Sequence, residues 1–256
     1  MNYKNIAIIG GAGFVGTRLA ARFDLSGVKH TIYDINKRSE GMVFCDVESE
    51  ESLEKIEGAI VIVNLAAEHR DDIRPLSRYD DVNVQGAINV CSAARKHGAK
   101  KIVFTSSVAI YGFAPPGTGE SGEPNYFNDY GRTKYLAEQV YKEWQAEEPE
   151  SRTLVIVRPT VIFGEGNRGN VYNLLRQIAS RRFLMFGNGT NRKSMAYVEN
   201  VVAFIEYSLS FKPGLHIYNY IDKPDFDMNT LISGTRKTLF GKTNVGLRLP
   251  GFIGLA

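Results

Sequence analysis

Apolar residues along this chain fall into short continuous runs separated by longer stretches of helical spacing. Residues 6–9 (Ile-Ala-Ile-Ile) are apolar throughout and run straight into glycines, and residues 14–23 then carry an amphipathic pattern. The first is the mark of a buried strand, the second of a surface helix. The alternation continues, with strands expected over 30–34 and 42–47, a helix over 49–56, and a β-branched strand over 59–66. Residues 82–96 place Val82, Gly86, Val90, Ala93 and Ala94 at helical spacing and stop at His97-Gly98, where glycine signals a helix end. Residues 101–106 read as the next strand, 130–144 as the next helix, and 153–157 as another strand, closed by Arg158-Pro159. Short strands alternating with helices predict an α/β fold with a doubly wound parallel sheet and right-handed crossovers.

The rhythm changes after Gly164. Residues 170–180 and 198–209 are helical, 182–189 hold a short apolar piece among turn residues, and 216–220 read as one more strand. The expected division is a sheet domain over 1–163, to which 195–222 return, and a small interleaved C-terminal domain from 164–194 and 223–256 that covers a substrate. Residues 115–122 (Pro-Pro-Gly-Thr-Gly-Glu-Ser-Gly) have the composition of a mobile loop.

Bulk composition narrows the class. With 256 residues, 43% hydrophobic and 23% charged, the chain is an ordinary globular one. Its 31 basic and 28 acidic residues leave a net charge of +3, too balanced for a nucleic-acid partner. Cys45 and Cys91 stand too far apart for a metal-ligand spacing, and so few cysteines fit a reducing, cytoplasmic setting. No apolar run is long enough to span a bilayer, so no membrane association is expected. The apolar start is too short for a secretory signal.

Gly10, Gly13 and Gly16 follow a strand and open the helix that begins at Phe14 and Val15, the context a dinucleotide-binding turn requires. The glycines let the backbone approach a pyrophosphate, and the helix N-terminus offers free N–H groups and a positive dipole end. Asp34 ends the second strand, where a carboxylate accepts from the adenosine ribose and repels a 2′-phosphate. NAD is therefore expected. NADP stays open because Lys37 and Arg38 follow closely. Asp46, followed by Val47 after the third strand, is placed to meet the adenine.

Tyr130 and Lys134 lie one helical turn apart and share a face. A phenol is a poor base at neutral pH, but a neighbouring ammonium favours phenolate and lowers its pKa. Ser107, after the strand that ends in Thr105-Ser106, can hold a substrate oxygen. The chemistry is hydride transfer at a carbinol carbon, with Tyr130 as base or acid, Lys134 as its tuner and a ribose ligand, and Ser107 as orienter. Arg70 follows the fourth strand at its carboxyl end, where ligands collect in open sheets, and is a candidate for substrate.

The set Gly10 to Gly16, Asp34, Asp46-Val47, Asn64-Leu65-Ala66-Ala67, Asn83-Val84-x-Gly86, Thr105-Ser106-Ser107-x-x-x-Tyr111-Gly112, Tyr130-x-x-x-Lys134 and Arg158-Pro159 resembles the extended short-chain dehydrogenase/reductases, in particular the NAD-dependent epimerase/dehydratase group acting on nucleotide sugars. The resemblance covers residues 5–210 and implies a Rossmann domain, tightly bound NAD, a nucleotide-sugar substrate and a homodimer. It sets Ser107, Tyr130 and Lys134 on the catalytic positions. Around the cofactor it sets Leu65, Ala66, Ala67, Asn83, Thr105, Ser106, Arg158 and Pro159. It sets Val108, Val161, Phe186, Arg192 and Lys193 against the substrate.

Two departures from the group shape the reaction. The sugar dehydratases resemble Thr-Asp-Glu where this chain has Ser107-Val108-Ala109, so the acid pair needed to eliminate water is missing. Val108 also replaces the glutamate of related decarboxylases. A C4 epimerisation through a transient 4-keto sugar needs only the hydroxyl, tyrosine, lysine and cofactor, and is the expected reaction. Reduction of a 4-keto sugar, oxidation or reduction of a non-nucleotide alcohol, and a redox-sensing binding module stay open as alternatives. Val161 replaces an asparagine of many epimerases, and Lys193, beside Arg192, replaces an arginine that grips the diphosphate; lysine neutralises a phosphate without the bidentate fork. The group's chains run on beyond this one's last residues, so the substrate domain is expected to be partial, a truncated cap whose apolar end (Phe252, Ile253, Leu255) packs on it or lies open.

Overall fold

The computed structural model describes residues 5–250. Seven strands form one sheet: Ile6–Ile9 (β1), His30–Asp34 (β2), Val43–Phe44 (β3), Val61–Asn64 (β4), Lys101–Thr105 (β5), Thr153–Pro159 (β6) and Gly214–Tyr220 (β7). Their order is β7-β6-β5-β4-β1-β2-β3 and every pairing is parallel. The chain leaves β1 toward β2 and β3, then crosses back to lay β4 on the other side of β1. Ligands of open α/β sheets collect at such a reversal, outside the carboxyl ends of the strands.

Five helices belong to this unit: Phe14–Ser26 (α1), Glu50–Leu53 (α2), Gly86–Lys96 (α3), Asp129–Glu147 (α4) and Val198–Ser208 (α5). α1 packs against α5, and α3 against α2 and α4. β4, β5 and β6 are buried on both faces, which is why they read as continuous apolar runs instead of alternating ones. Ile62, Ile102, Leu154 and Ile156 fill the centre with Phe104, Tyr141 and Trp144, and the last two, with Ala137, form the core face of α4. Cys45 and Cys91 are core residues too, with burial pushing their thiols up to about 11 and about 12, so neither is a nucleophile near neutral pH.

The chain up to Thr160, together with Val198–Tyr220, forms one compact unit, and Val161–Tyr197 with the chain from Ile221 onward forms a second. The second unit is built from three strand pairs. Val161–Phe163 lies parallel to Met195–Tyr197, Arg192–Lys193 antiparallel to Phe226–Asp227, and Met185–Phe186 parallel to Arg248–Leu249. Helices Asn170–Ala179 and Met228–Phe240 bury Ile178 and Ile232 together with Met185.

Element existence in the sheet unit follows the sequence pattern, while several ends differ. The strand expected over 42–47 pairs only at Val43–Phe44, because the following residues turn: Asp46 Oδ1 accepts the Glu48 N–H at 3.0 Å. The helix expected over 82–96 is preceded by a π-helical stretch, Asp80–Gln85, before its regular part begins at Gly86. Helix α4 starts earlier than expected because Asn128 caps it, its Oδ1 accepting the Gly131 N–H at 2.9 Å. The helix Met228–Phe240 was not legible as a helix. The apolar end at Phe252, Ile253 and Leu255 lies outside the described residues. Among the described residues no helix is long and apolar enough to cross a membrane.

The sheet core sets a first expectation. Ile62→Ala, at a fully buried position of β4, lowers unfolding stability by about 2–5 kcal/mol, read from the urea midpoint at unchanged slope.

Candidate active site

The turn after β1 is shaped by close backbone contact. Gly10 has φ +77° and receives hydrogen-bond support by donating its N–H to the Tyr33 carbonyl at 2.8 Å; a Cβ there would stand 2.6 Å from the Ala66 nitrogen. Only glycine fits both demands. Gly13 is the N-cap of α1 and offers no side-chain cap, leaving the first N–H groups at Phe14, Val15 and buried Gly16 open to an anion. Asp34 is buried at the end of β2 and binds both edges of the turn. Its Oδ2 accepts the Ala12 N–H at 2.9 Å and its Oδ1 the Asn36 N–H at 2.8 Å. Each oxygen keeps a further lone pair for a ribose hydroxyl. Lys37 and Arg38 are exposed.

The other predicted cofactor residues lie on the strand ends around this turn. Leu65 donates its N–H to Ile9, and Ala66 donates to Asn64 Oδ1 at 3.1 Å. Val47 is buried against α3, where its carbonyl accepts Asn89 Nδ2 at 2.9 Å. Asn83, carried by the π-helical stretch, fastens the chain after Ala67 to α4. It accepts the Glu68 N–H at 2.9 Å, donates to the Glu68 carbonyl at 3.1 Å, and donates to Thr133 Oγ1 at 3.0 Å. Thr105 ends β5 with its hydroxyl buried and without a partner among the described residues.

Gly131 governs how near α4 comes to the chain after β5. A Cβ on Gly131 would lie 2.5 Å from the Ala109 carbonyl oxygen, so the first turn of α4 and the short 3-10 turn Val108–Tyr111 touch backbone to backbone. Ser107 caps that turn, its Oγ accepting the Ala109 N–H at 3.1 Å. This approach brings the Ser107 hydroxyl beside the Tyr130 phenol. Burial pushes the Tyr130 pKa above its ordinary value, the Ser107 hydroxyl works to lower it, and Tyr79 raises it further. Lys134 is fully buried with its ammonium over the Phe104 ring, 4.3 Å from the centroid. Burial pulls its pKa down to about 7 against the opposing charge of Glu138. The lysine has no hydrogen-bond partner among the described residues, which leaves its donors available to a ligand. The glycine turn, the uncapped N–H groups, Asp34 and Lys134 together fit a dinucleotide.

Behind this pair lies a network that the sequence reading missed. Glu138, one turn beyond Lys134, accepts Ser106 Oγ at 2.6 Å and Arg158 Nε at 2.9 Å on Oε1, and Arg158 Nη2 at 2.6 Å on Oε2. Arg158 also donates to Tyr111 Oη and to the Glu120 carbonyl, and Tyr111 Oη donates to Asn219 Oδ1 at 2.9 Å. Burial works to strip the Arg158 proton, but Glu138 holds the guanidinium above its ordinary range. Arg158, expected near the cofactor, thus has its guanidinium inside this network, with Pro159 buried beside it at the end of β6. An acid on the core stripe of α4 with Ala137, Tyr141 and Trp144, and an arginine within an apolar strand, were the available signals.

Among the predicted substrate residues, Ser107 and Val108 belong to the 3-10 turn. Arg70 is exposed and folded onto Glu68, with Nε on Oε1 and Nη2 on Oε2, both at 3.1 Å. The other four lie in the second unit. Val161 begins its first strand, Arg192 and Lys193 form the strand facing Phe226 and Asp227, and exposed Phe186 lines a cavity of ≈ 530 Å³ with Arg176, Gln177, Ser180, Arg182 and Leu184. Asp46 is half-buried, its N–H donating to Ser52 Oγ at 2.8 Å.

Residues 6–220 match the model of the NAD dependent epimerase/dehydratase family. The chain is 46% identical, over 258 residues, to the N-acetyl-alpha-D-glucosaminyl-diphospho-ditrans,octacis-undecaprenol 4-epimerase of Escherichia coli O157:H7, covering 98% of this chain and 77% of that protein. It is 30% identical to a UDP-glucose 4-epimerase of Vibrio cholerae over 218 residues, covering 79% of this chain and 65% of that one. Among solved structures, the UDP-N-acetylglucosamine 4-epimerase from Bacillus cereus superposes with a TM-score of 0.84 at 17% identity, over 96% of this chain and 85% of that one. At that identity the likeness is one of fold.

The buried lysine makes a pH-dependent prediction. Between about 7 and 10.5, the folded and ordinary values of Lys134, the unfolded chain binds a proton that the folded chain does not. Stability of the cofactor-free protein thus gains from this group as pH rises through that window, and the full cost remains below it. Lys134→Met removes the cost. Its gain in melting temperature over the parent is largest below pH 7 and vanishes as pH approaches 10.5, in thermal unfolding across that range. The corresponding gain in unfolding free energy at the acid end is on the order of a few kcal/mol.

Proposed function

This chain belongs to the NAD dependent epimerase/dehydratase family, and on that premise we propose that it inverts C4 of a sugar carried on a diphosphate, with a polyprenyl group as the carrier. The observation that carries the reading is a catalytic constellation, Ser107 beside Tyr130 with Lys134 on the same helix face. It stands in a chain that shares 46% of its residues, nearly end to end, with a 4-epimerase of a polyprenyl-diphosphate sugar. The UDP-glucose 4-epimerase is more distant, at 30%.

NAD, when bound, supplies a hydride acceptor and donor for C4. The chain's own residues handle the proton and the geometry. Ser107 Oγ donates to the C4 oxygen and holds it toward Tyr130. Tyr130 Oη takes the O4 proton as the C4–O bond becomes a carbonyl, and gives it back when the carbonyl is reduced on its opposite face. Lys134, in its charged form, favours phenolate and donates to the cofactor ribose. Val108 and Ala109 offer no acid or base for removing water, so the 4-keto sugar keeps its other substituents. Arg192 and Lys193 are the cations read as meeting the diphosphate, with Phe186, Val161 and Arg70 as further substrate contacts.

The test uses NAD-loaded protein with an N-acetylhexosaminyl-diphospho-undecaprenol and, separately, the matching UDP-sugar, following C4 inversion by proton NMR. The lipid-linked sugar should epimerise with no net accumulation of reduced cofactor, and the UDP-sugar should turn over more slowly. Preferred turnover of the UDP-sugar would replace the carrier and leave the chemistry. Absence of inversion with both, alongside net reduction of a simple ketone, would sink the reading. Tyr130→Phe should lower kcat by roughly 10²–10⁴ while NAD affinity stays within about threefold of the parent, since the lost group acts on the proton.

A further inference from the structure

Glu138 takes no part in the proton path, yet its carboxylate is fully sealed from solvent. An acid in that position is tolerated only when its charge is met. Here it is met three times, by two parallel contacts from Arg158 and by the Ser106 hydroxyl, with Lys142 Nζ 3.8 Å away. The partners matter more than their number. Ser106 is the residue before Ser107, and Lys134 is the residue one turn before Glu138. One carboxylate therefore grips the strand end that presents the substrate-orienting hydroxyl and the helix that presents the tyrosine and lysine. We propose that Glu138 is a positioning residue for the reaction, locking the Ser106–Ser107 segment onto α4 through its pair with Arg158 and setting a fixed negative charge beside the Lys134 ammonium.

The surroundings support the electrostatic half of this role. The titratable and charged groups around the pair are Tyr130, Glu138 and Lys142 on α4, Arg158 on β6, Tyr111 in the turn after β5, and Tyr79 just before the π-helical stretch. β5 and its exit add the Phe104 ring and the hydroxyls of Ser106 and Ser107. Against burial, which drives Lys134 toward its neutral form, Glu138 is the charge acting to keep it protonated. Removing that charge lets the lysine lose its proton at a lower pH and weakens its hold on phenolate at neutral pH. The geometric half is independent of titration. Without the Ser106 side-chain contact, the strand end keeps its backbone bond to Val157 and the Ala109–Gly131 approach but loses its direct tie to the Glu138 carboxylate.

The proposal rests on reading Tyr130 and Lys134 as the reacting pair, so one readout is taken without substrate. In cofactor-free protein carrying ¹³C-labelled lysine, the Lys134 Cε shift is followed against pH, with Lys134→Met identifying the resonance. Glu138→Gln should move the midpoint down by about one unit or more, and Glu138→Asp should return it toward the parent. An unmoved midpoint in a folded Glu138→Gln protein overturns the proposal. In NAD-loaded enzyme, Ser106→Ala leaves the ion pair in place and should lower kcat roughly tenfold with KM within about twofold, as expected when orientation is lost and binding is kept. Should Glu138→Gln not fold, a Ser106→Ala enzyme with parental kcat overturns the proposal by itself. A parent protein that inverts no sugar removes the functional reading, while the lysine titration still decides the role of Glu138.

Discussion

A carboxylate sealed beside a guanidinium holds the reacting face of this protein in register. The Glu138–Arg158 pair joins α4 to β6, reaches the end of β5 through Ser106, and extends through Tyr111 to Asn219 on β7. Buried pairs of this kind are poor sources of net stability, since desolvation offsets most of the Coulomb attraction. Their effect is on uniqueness. Sliding α4 by one residue along the sheet would turn Glu138 away from Arg158 and leave two uncompensated charges in the core, a cost of about 3–5 kcal/mol by comparison with broken buried pairs. Apolar packing by Ala137, Tyr141 and Trp144 would tolerate small shifts; the charge pair does not.

The two ends of the site solve different problems by different means. At the cofactor end the backbone acts, because a pyrophosphate is met by N–H groups and by close approach. The decisive residues there are the ones with the least side chain, Gly10 above all, and Asp34 shapes the turn with both of its oxygens. At the catalytic end buried side chains act, and burial opposes the chemistry. It pushes the Tyr130 phenol up and the Lys134 ammonium down, so both groups tend toward their neutral forms. As the proposed base and its tuner, the two would do little in those forms. The sealed acid one turn further along α4 is the counterweight within the protein, which gives a physical reason for placing a charge where an apolar side chain would pack more cheaply.

Legibility in the sequence followed the strength of the periodic signal. β1, β4, β5 and β6 were readable because strands buried on both faces are apolar at every position, and α4 because its motif and its core stripe coincide. Chain order then implied the doubly wound sheet. The second unit was harder. Its strands are two or three residues long, too short for a period, and helix Met228–Phe240 buries only Ile232 fully while its Thr, Ser, Gly and Lys residues resemble a loop. Its capping signals, Asp227 at the start and Gly241 in the left-handed region at the end, were present but lacked an apolar face to frame them. In the candidate site, Ser107, Tyr130 and Lys134 were legible from spacing. The residue behind them was not, because Glu138 and Arg158 are distant in sequence and become partners only when the fold lays α4 against β6.

The separation between the units bears on the identity of the carrier. The groups proposed for the proton path, Ser107, Tyr130 and Lys134, all belong to the sheet unit. Phe186, Arg192 and Lys193, proposed for the carrier side of the substrate, all belong to the second. A change of carrier from a nucleoside to a polyprenol alters what lies beyond the diphosphate and leaves C4 untouched, so substitutions in the second unit can change it without disturbing the constellation on α4. The two 4-epimerases similar to this chain, one of an undecaprenyl-diphosphate sugar and one of UDP-glucose, fit that logic. The sheet unit therefore speaks to the bond that is made and broken, and Lys193, a point charge in place of a bidentate fork, belongs to the part of the chain where carrier preference can drift. In the proposed role, a lysine there would meet a diphosphate by charge more than by shape, and would constrain least what the diphosphate is attached to.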